Sequence, residues 1–146
     1  MSNDIKIRWG WLKIMYWYTI LGAGCLGLAM VVVPETVRSI FGWPVQDPIV
    51  YGVTGCVWLA FGLLSILGLK SPLKFVPILL MQLTYKSVWL IGVVLPLLIS
   101  GEFPTYAILH VVVMGSYITG DLVAIPFLYM FSKKVSVDID LTAERI

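Results

Sequence analysis

Apolar residues in this chain fall into four long runs, not into one repeating amphipathic stripe. The runs cover roughly residues 10–33, 49–69, 76–99 and 105–131. At about 1.5 Å of rise per residue, each is long enough as a helix to cross roughly 30 Å of hydrocarbon. Pro34 stops the first run and Ser100-Gly101 follows the third. Pro77, Pro96 and Pro126 fall near helix ends, where a missing N–H is tolerated or kinks the helix. The pattern predicts an all-α integral membrane protein, a single domain over residues 1–146 built as a four-transmembrane-helix bundle with a tail at 132–146.

The segment between the first two runs changes period. Val37, Ile40 and Phe41 share one helical face, with Glu35 in the first turn and Gly42 and Pro44 placed to end it. This predicts a short interfacial helix on the outer surface; the alternative is a cap over a cavity between the spans. The tail alternates Val135, Val137, Ile139 and Leu141 with Ser136, Asp138 and Asp140, which is strand periodicity. It reads either as an element that packs against another chain or an edge strand, or as a frayed terminus.

Composition agrees with the runs. Hydrophobic residues make up 60% of the chain and charged residues 12%, against about 25% charged in a soluble domain. A net charge of +2 gives no reason to expect a nucleic-acid partner. Placement of the charges matters more. Lys6, Arg8 and Lys13 precede or begin the first span, Lys70 and Lys74 lie in the second loop, and Lys133 and Lys134 follow the last span. The third loop carries Glu102 alone. The positive-inside rule then puts both termini in the cytoplasm of a multi-pass protein. Trp9, Trp11, Tyr16 and Trp17 near the inner end of the first span read as an interfacial aromatic belt, as do Phe103 and Tyr106 at the outer end of the fourth and Tyr129 and Phe131 at its inner end.

Cys25 and Cys56 lie inside apolar runs without CxxC or Cys/His spacing, so both read as buried, inert thiols. The Gly22–Cys25 stretch lacks the apolar residue that a lipoprotein cleavage box needs, and it reads as retained helix. Small residues at spacing four form stripes: Gly52, Cys56 and Ala60 on the second span, and Ala23/Gly27 and Cys25/Ala29 on the first. Such stripes let helix backbones approach closely.

The candidate chemistry is a polar interior. Lys86 and Asp121 sit inside apolar runs, where a charge costs roughly 2.5–3.5 kcal/mol on insertion scales. Gln82, Tyr85, Lys86 and Trp89 share one face of the third span, and His110, Met114, Tyr117 and Asp121 share one face of the fourth. Each charge lies about ten residues, or 15 Å, from the inner end of its run. Antiparallel neighbours would therefore bring Lys86 and Asp121 to one depth as a direct or water-bridged pair. That pair either fixes helix register or binds a ligand or proton. Trp58 lies in mid-span, where its indole N–H needs a partner; Trp58 and Trp89 either line the same central cavity or each faces lipid or packs within the bundle. His110 is the only histidine, which excludes a multi-histidine metal or haem site within one chain; an interfacial histidine bonded to a carbonyl or water is its plainer reading. No P-loop, GxGxxG, Ser/His/Asp constellation, HExxH or channel-filter motif occurs, so no catalytic residue is assigned and no metal is expected.

Pro34 at the end of the first span, the stretch Phe41-Gly42-Trp43-Pro44, the glycine-rich Tyr51–Gly55 and the basic turn Lys70–Lys74 give a layout that resembles the DoxX-like small bacterial four-helix membrane proteins. That resemblance implies the bacterial cytoplasmic membrane and includes quinone-linked oxidoreductase subunits among the relatives. Four-helix sterol isomerases offer a looser likeness of architecture. The expected function is binding of a quinone- or lipid-like amphiphile in the polar core, with quinone or bound lipid as the candidate cofactor and membrane lipid as the partner. An accessory subunit of a larger membrane complex and a small transporter built as a homo-oligomer are the alternatives.

Overall fold

The computed structural model describes residues 7–131, which are helical with no strand. The alternating tail segment, Lys6, Lys133 and Lys134 lie outside the described residues. Four helices are long and apolar enough to cross a membrane: α1 (Trp9–Val32), α3 (Pro48–Lys70), α4 (Val76–Ser100) and α5 (Thr105–Ala124). Two short helices accompany them, α2 (Pro34–Phe41) between α1 and α3, and α6 (Phe127–Met130) after α5. Successive long helices are antiparallel around the bundle. The end bearing α2 and residues 101–104 is called the cap end below, and the end bearing residues 71–75 the terminal end.

Local chemistry sets the boundaries. Val33 leaves helical geometry because a residue before proline is pushed out of the α region. Asp47 caps α3, its Oδ1 accepting from the N–H groups of Ile49 and Val50 at 3.0 Å each, with Pro48 at the first helical position. Gly101, at φ 73°, ends α4.

The fourth run is shorter than expected. α5 stops at Ala124, and Ile125 is extended because Pro126 follows it. Asp121 therefore lies in the last turn of its helix, not ten residues from the end. Pro96, conversely, lies within α4. It cannot donate to the carbonyl of Gly92, and the five residues Leu90–Val94, ending two before it, open into a wider π turn. A second π turn, Ile20–Gly24, interrupts α1.

The closest seam joins α1 and α3. A Cβ on Gly27 would strike the backbone of Leu59 and Gly55, and one on Gly62 would strike the backbone of Gly24. The Ala23/Gly27 stripe of α1 is buried as expected, but on α3 the register differs from the sequence expectation. Cys56 and Ala60 face outward with Cys25, and both thiols are exposed at the surface that lipid would cover, not buried. The buried face of α3 is instead Tyr51, Gly55, Trp58, Gly62 and Ser65. Trp9, Trp11 and Trp17 are exposed as a belt requires. Tyr16 is not among them: it is fully buried and its hydroxyl donates to the Pro72 carbonyl at 2.7 Å, tying α1 to the α3–α4 turn.

α2 packs as a cap, not as a helix lying free on the surface. Val37 is buried and Phe41 half-buried, while Ile40 points outward. Gly42, at φ 64°, reverses the chain so that the Trp43 N–H donates to the Arg38 carbonyl at 3.0 Å. The turn sends the Trp43 ring back over the bundle, stacked on Phe41 at 4.9 Å.

Candidate functional site

The predicted faces of α4 and α5 both turn inward. Gln82, Lys86, Met114, Tyr117 and Asp121 are buried, and Tyr85, Trp89 and His110 are partly buried. Their hydrogen bonds form a chain across two helices. Lys86 Nζ donates to Gln82 Oε1 at 2.6 Å, Gln82 Nε2 donates to Thr19 Oγ1 at 3.1 Å, and Thr19 Oγ1 donates to the Met15 carbonyl at 2.8 Å. Lys86 Nζ also lies over the Tyr117 ring, 3.7 Å from its centroid, and 5.1 Å from that of Tyr85. Tyr18 stacks on Tyr117 at 4.1 Å, and the Tyr117 hydroxyl donates to the Tyr18 carbonyl at 2.9 Å, beside the π turn of α1. Gly22 is required there, since a Cβ would collide with that hydroxyl.

The expected direct pairing of Lys86 with Asp121 is not made. Among the described residues the single ion pair is Arg38–Glu35 on α2. The ammonium is satisfied by a neutral amide and an aromatic face, both available within one helical turn or across one seam. Both Asp121 oxygens are buried without a hydrogen-bond partner among the described residues. Such a group is costly in an apolar medium. Ser65 on α3 is a second buried, unpartnered polar group, so every long helix contributes to the polar layer.

Above this layer, toward the cap end, lies a cavity of about 460 Å³. Its walls include Trp43, Trp58, Trp89, Tyr85, His110 and Met114. His110 stacks on Trp58 (5.6 Å, 21°) and meets Trp43 and Trp89 edge-on at 5.9 and 5.2 Å. A smaller chamber of about 120 Å³ shares Trp58, Tyr85, His110 and Met114 with the larger and reaches Lys86 and Tyr117. Trp58 and Trp89 thus line one cavity, one of the two readings their positions allowed. His110 is held among indoles at the border of two chambers, with no hydrogen bond to a side chain or carbonyl among the described residues. Along α5, His110 and Tyr117 are seven residues apart, about 10 Å of helical rise, and both line the smaller chamber together with Lys86.

Several members were not singled out from sequence. Thr19 stands out in retrospect as a polar residue three places after Tyr16 in an apolar run. Trp43 carried a signal only as part of the α2 turn, because its inward direction follows from the Gly42 backbone. Tyr18 enters through its ring, stacked on Tyr117, and through its carbonyl, which no side-chain pattern marks.

Fold and site together define a small helical protein with four helices long enough to cross a membrane, a buried polar layer and an aromatic-walled chamber. The chain matches no protein-family model, no curated protein and no solved structure.

Proposed function

We propose that this chain is a multi-pass membrane protein that binds a quinone- or lipid-like amphiphile in the chamber between Trp58, Trp89 and His110. The observation that carries the reading is the pair of adjoining cavities. The larger is within the roughly 300–1,000 Å³ of small-molecule sites, and its wall is aromatic with few polar groups. The smaller, at about 120 Å³, approaches the size of a cavity of about 150 Å³ that takes up a single benzene ring. Lys86 and His110, which both line it, would hold acceptor oxygens of the ring, with Trp58 and Tyr85 against its faces. Asp121, beyond Lys86, would be the group that exchanges a proton with the polar layer.

The DoxX-like layout, with its quinone-linked members, supports the same reading and the same membrane, the bacterial cytoplasmic membrane with both termini inside. Two alternatives fit less well. An accessory subunit needs no chamber, and a homo-oligomeric transporter would turn Lys86 and Asp121 toward an axis between chains, whereas both are buried within one.

Tryptophan fluorescence tests the reading. A tail-less single-ring quinone added to the full chain in detergent should quench it saturably. Trp89→Leu and His110→Ala should each weaken binding about tenfold, or 1.4 kcal/mol. Linear, unsaturable quenching that is the same in all three proteins would overturn it.

A further inference from the structure

A benzene ring takes up a cavity of about 150 Å³, so the two chambers, about 460 and 120 Å³, hold a ring and a short length of chain, and a long hydrocarbon tail has to leave the bundle. We infer that the tail leaves sideways, between α3 and α4, over Trp89 and Val93 and into the surrounding lipid. This inference rests on the chamber reading above and adds the ligand's orientation and its class, a single-ring head with one apolar tail.

The four seams of the bundle are unequal. α1 and α3 meet backbone to backbone at their glycines, α1 and α5 are joined by the Tyr18–Tyr117 stack, and α4 packs closely on α5. α3 and α4 make the loosest seam. The Phe61–Tyr85 stack, at 5.6 Å and 20°, bridges it and forms a floor. Between that floor and the cap end, the chamber lies between Thr54 and Trp58 of α3 and Trp89, Val93 and Leu97 of α4.

The outer face of α4 continues the path. A shallow apolar groove there runs past Met81, Val88 and Gly92 and shares Tyr85, Trp89 and Val93 with the chamber. Gly92 leaves open space where a Cβ would stand. The π turn Leu90–Val94 sets the geometry: it keeps Val94 buried while Val93 is half-exposed at the seam. The other exit, at the cap end, is unsuited to a hydrocarbon. Trp43, Phe103 and Tyr106 stand in it, and Glu35, Asp47 and Glu102 are exposed around it. Hydrocarbon is expelled from a wet, charged rim and accepted by an apolar groove.

Photolabelling tests the path. The probe is a single-ring quinone with a diazirine on a short tail, irradiated with the full chain in lipid nanodiscs and mapped by peptide mass spectrometry. Label competed by excess quinone should fall on Val53, Thr54 and Val57 of α3 and on Val88, Gly92 and Val93 of α4. Label concentrated on Gln46, Phe103 and Tyr106 would overturn the inference. The tail-less quinone separates the two readings: if it binds while label falls at the cap end, the chamber stands and the sideways path fails. If neither compound binds, the chamber reading fails and takes the path with it. Val93→Trp should lower the ratio of tailed to tail-less affinity at least tenfold, and an unchanged ratio would also overturn the path.

Discussion

Lys86 Nζ lies 3.7 Å from the centroid of the Tyr117 ring, and the same ammonium donates to Gln82 at 2.6 Å, while Asp121, one helical turn beyond Tyr117, forms no ion pair with it. A cation in a medium poor in water is thus held by a quadrupole and an amide dipole.

Substitutions at Tyr117 separate its two roles. Tyr117→Phe keeps the ring under Lys86 and loses the hydrogen bond to the Tyr18 carbonyl, a cost of about 1 kcal/mol. Tyr117→Leu removes the ring as well, and a desolvated cation–π contact adds about 2 kcal/mol. Reversible unfolding in mixed micelles should rank wild type above Phe above Leu. Equal stability of Phe and Leu would mean that the ring does not hold the charge.

Double-mutant cycles should show which neighbour Lys86 depends on. The Lys86→Met/Gln82→Leu cycle should give a coupling of about 1–2 kcal/mol, since the two side chains touch, within the range for residues of one network. The Lys86→Met/Asp121→Asn cycle should give a smaller value. A larger coupling to Asp121 would restore the ion pair as the organising contact.

Glycine substitutions test the α1–α3 seam. Gly27→Ala puts a methyl group into the backbone of Leu59 and Gly55, which cannot yield as a side chain can. It should cost at least about 2 kcal/mol, in the range of overpacked cores. Gly115→Ala on α5 meets nothing within 4 Å. It should be neutral or stabilising by up to about 1 kcal/mol, the helix-propensity difference. Thermal melts of the two variants moving together would contradict this seam.

The cap depends on one backbone conformation. Gly42→Ala forces a side chain into the left-handed region at a cost of about 1–2 kcal/mol. The loss should appear at the turn that aims Trp43, so quinone affinity should fall several-fold while the unfolding midpoint of the long helices stays near wild type. Fluorescence titration and a melt on the same sample check both. Unchanged affinity with a lowered midpoint would make α2 a structural clamp alone.

Much of this architecture was legible in the chain. The four runs, the Pro34 stop, the Gly42 turn and the inward faces of α4 and α5 all follow from local rules of length, period and backbone preference. The errors share one origin. Tyr16, Cys25, Cys56, the small-residue register of α3 and the direct Lys86–Asp121 contact each depend on which side of a helix meets which neighbour. In an apolar run nearly every face looks suitable for burial, so periodicity cannot choose. The early end of α5 was marked by Pro126, yet the run of hydrophobic residues continued past it and masked the break.

The sequence by itself determined that four apolar helices form, roughly where they begin and end, and that Lys86 and Asp121 belong inside, because hydrophobic length and the cost of a buried charge are properties of each segment. Tertiary structure alone decided that Lys86 turns to Gln82 and Tyr117, that Asp121 stays unpartnered among the described residues, and that three tryptophans from separate segments enclose His110. Those outcomes rest on distances between helices, and such distances are set by glycine contacts, π turns and a left-handed residue acting together, not by any one stretch of chain.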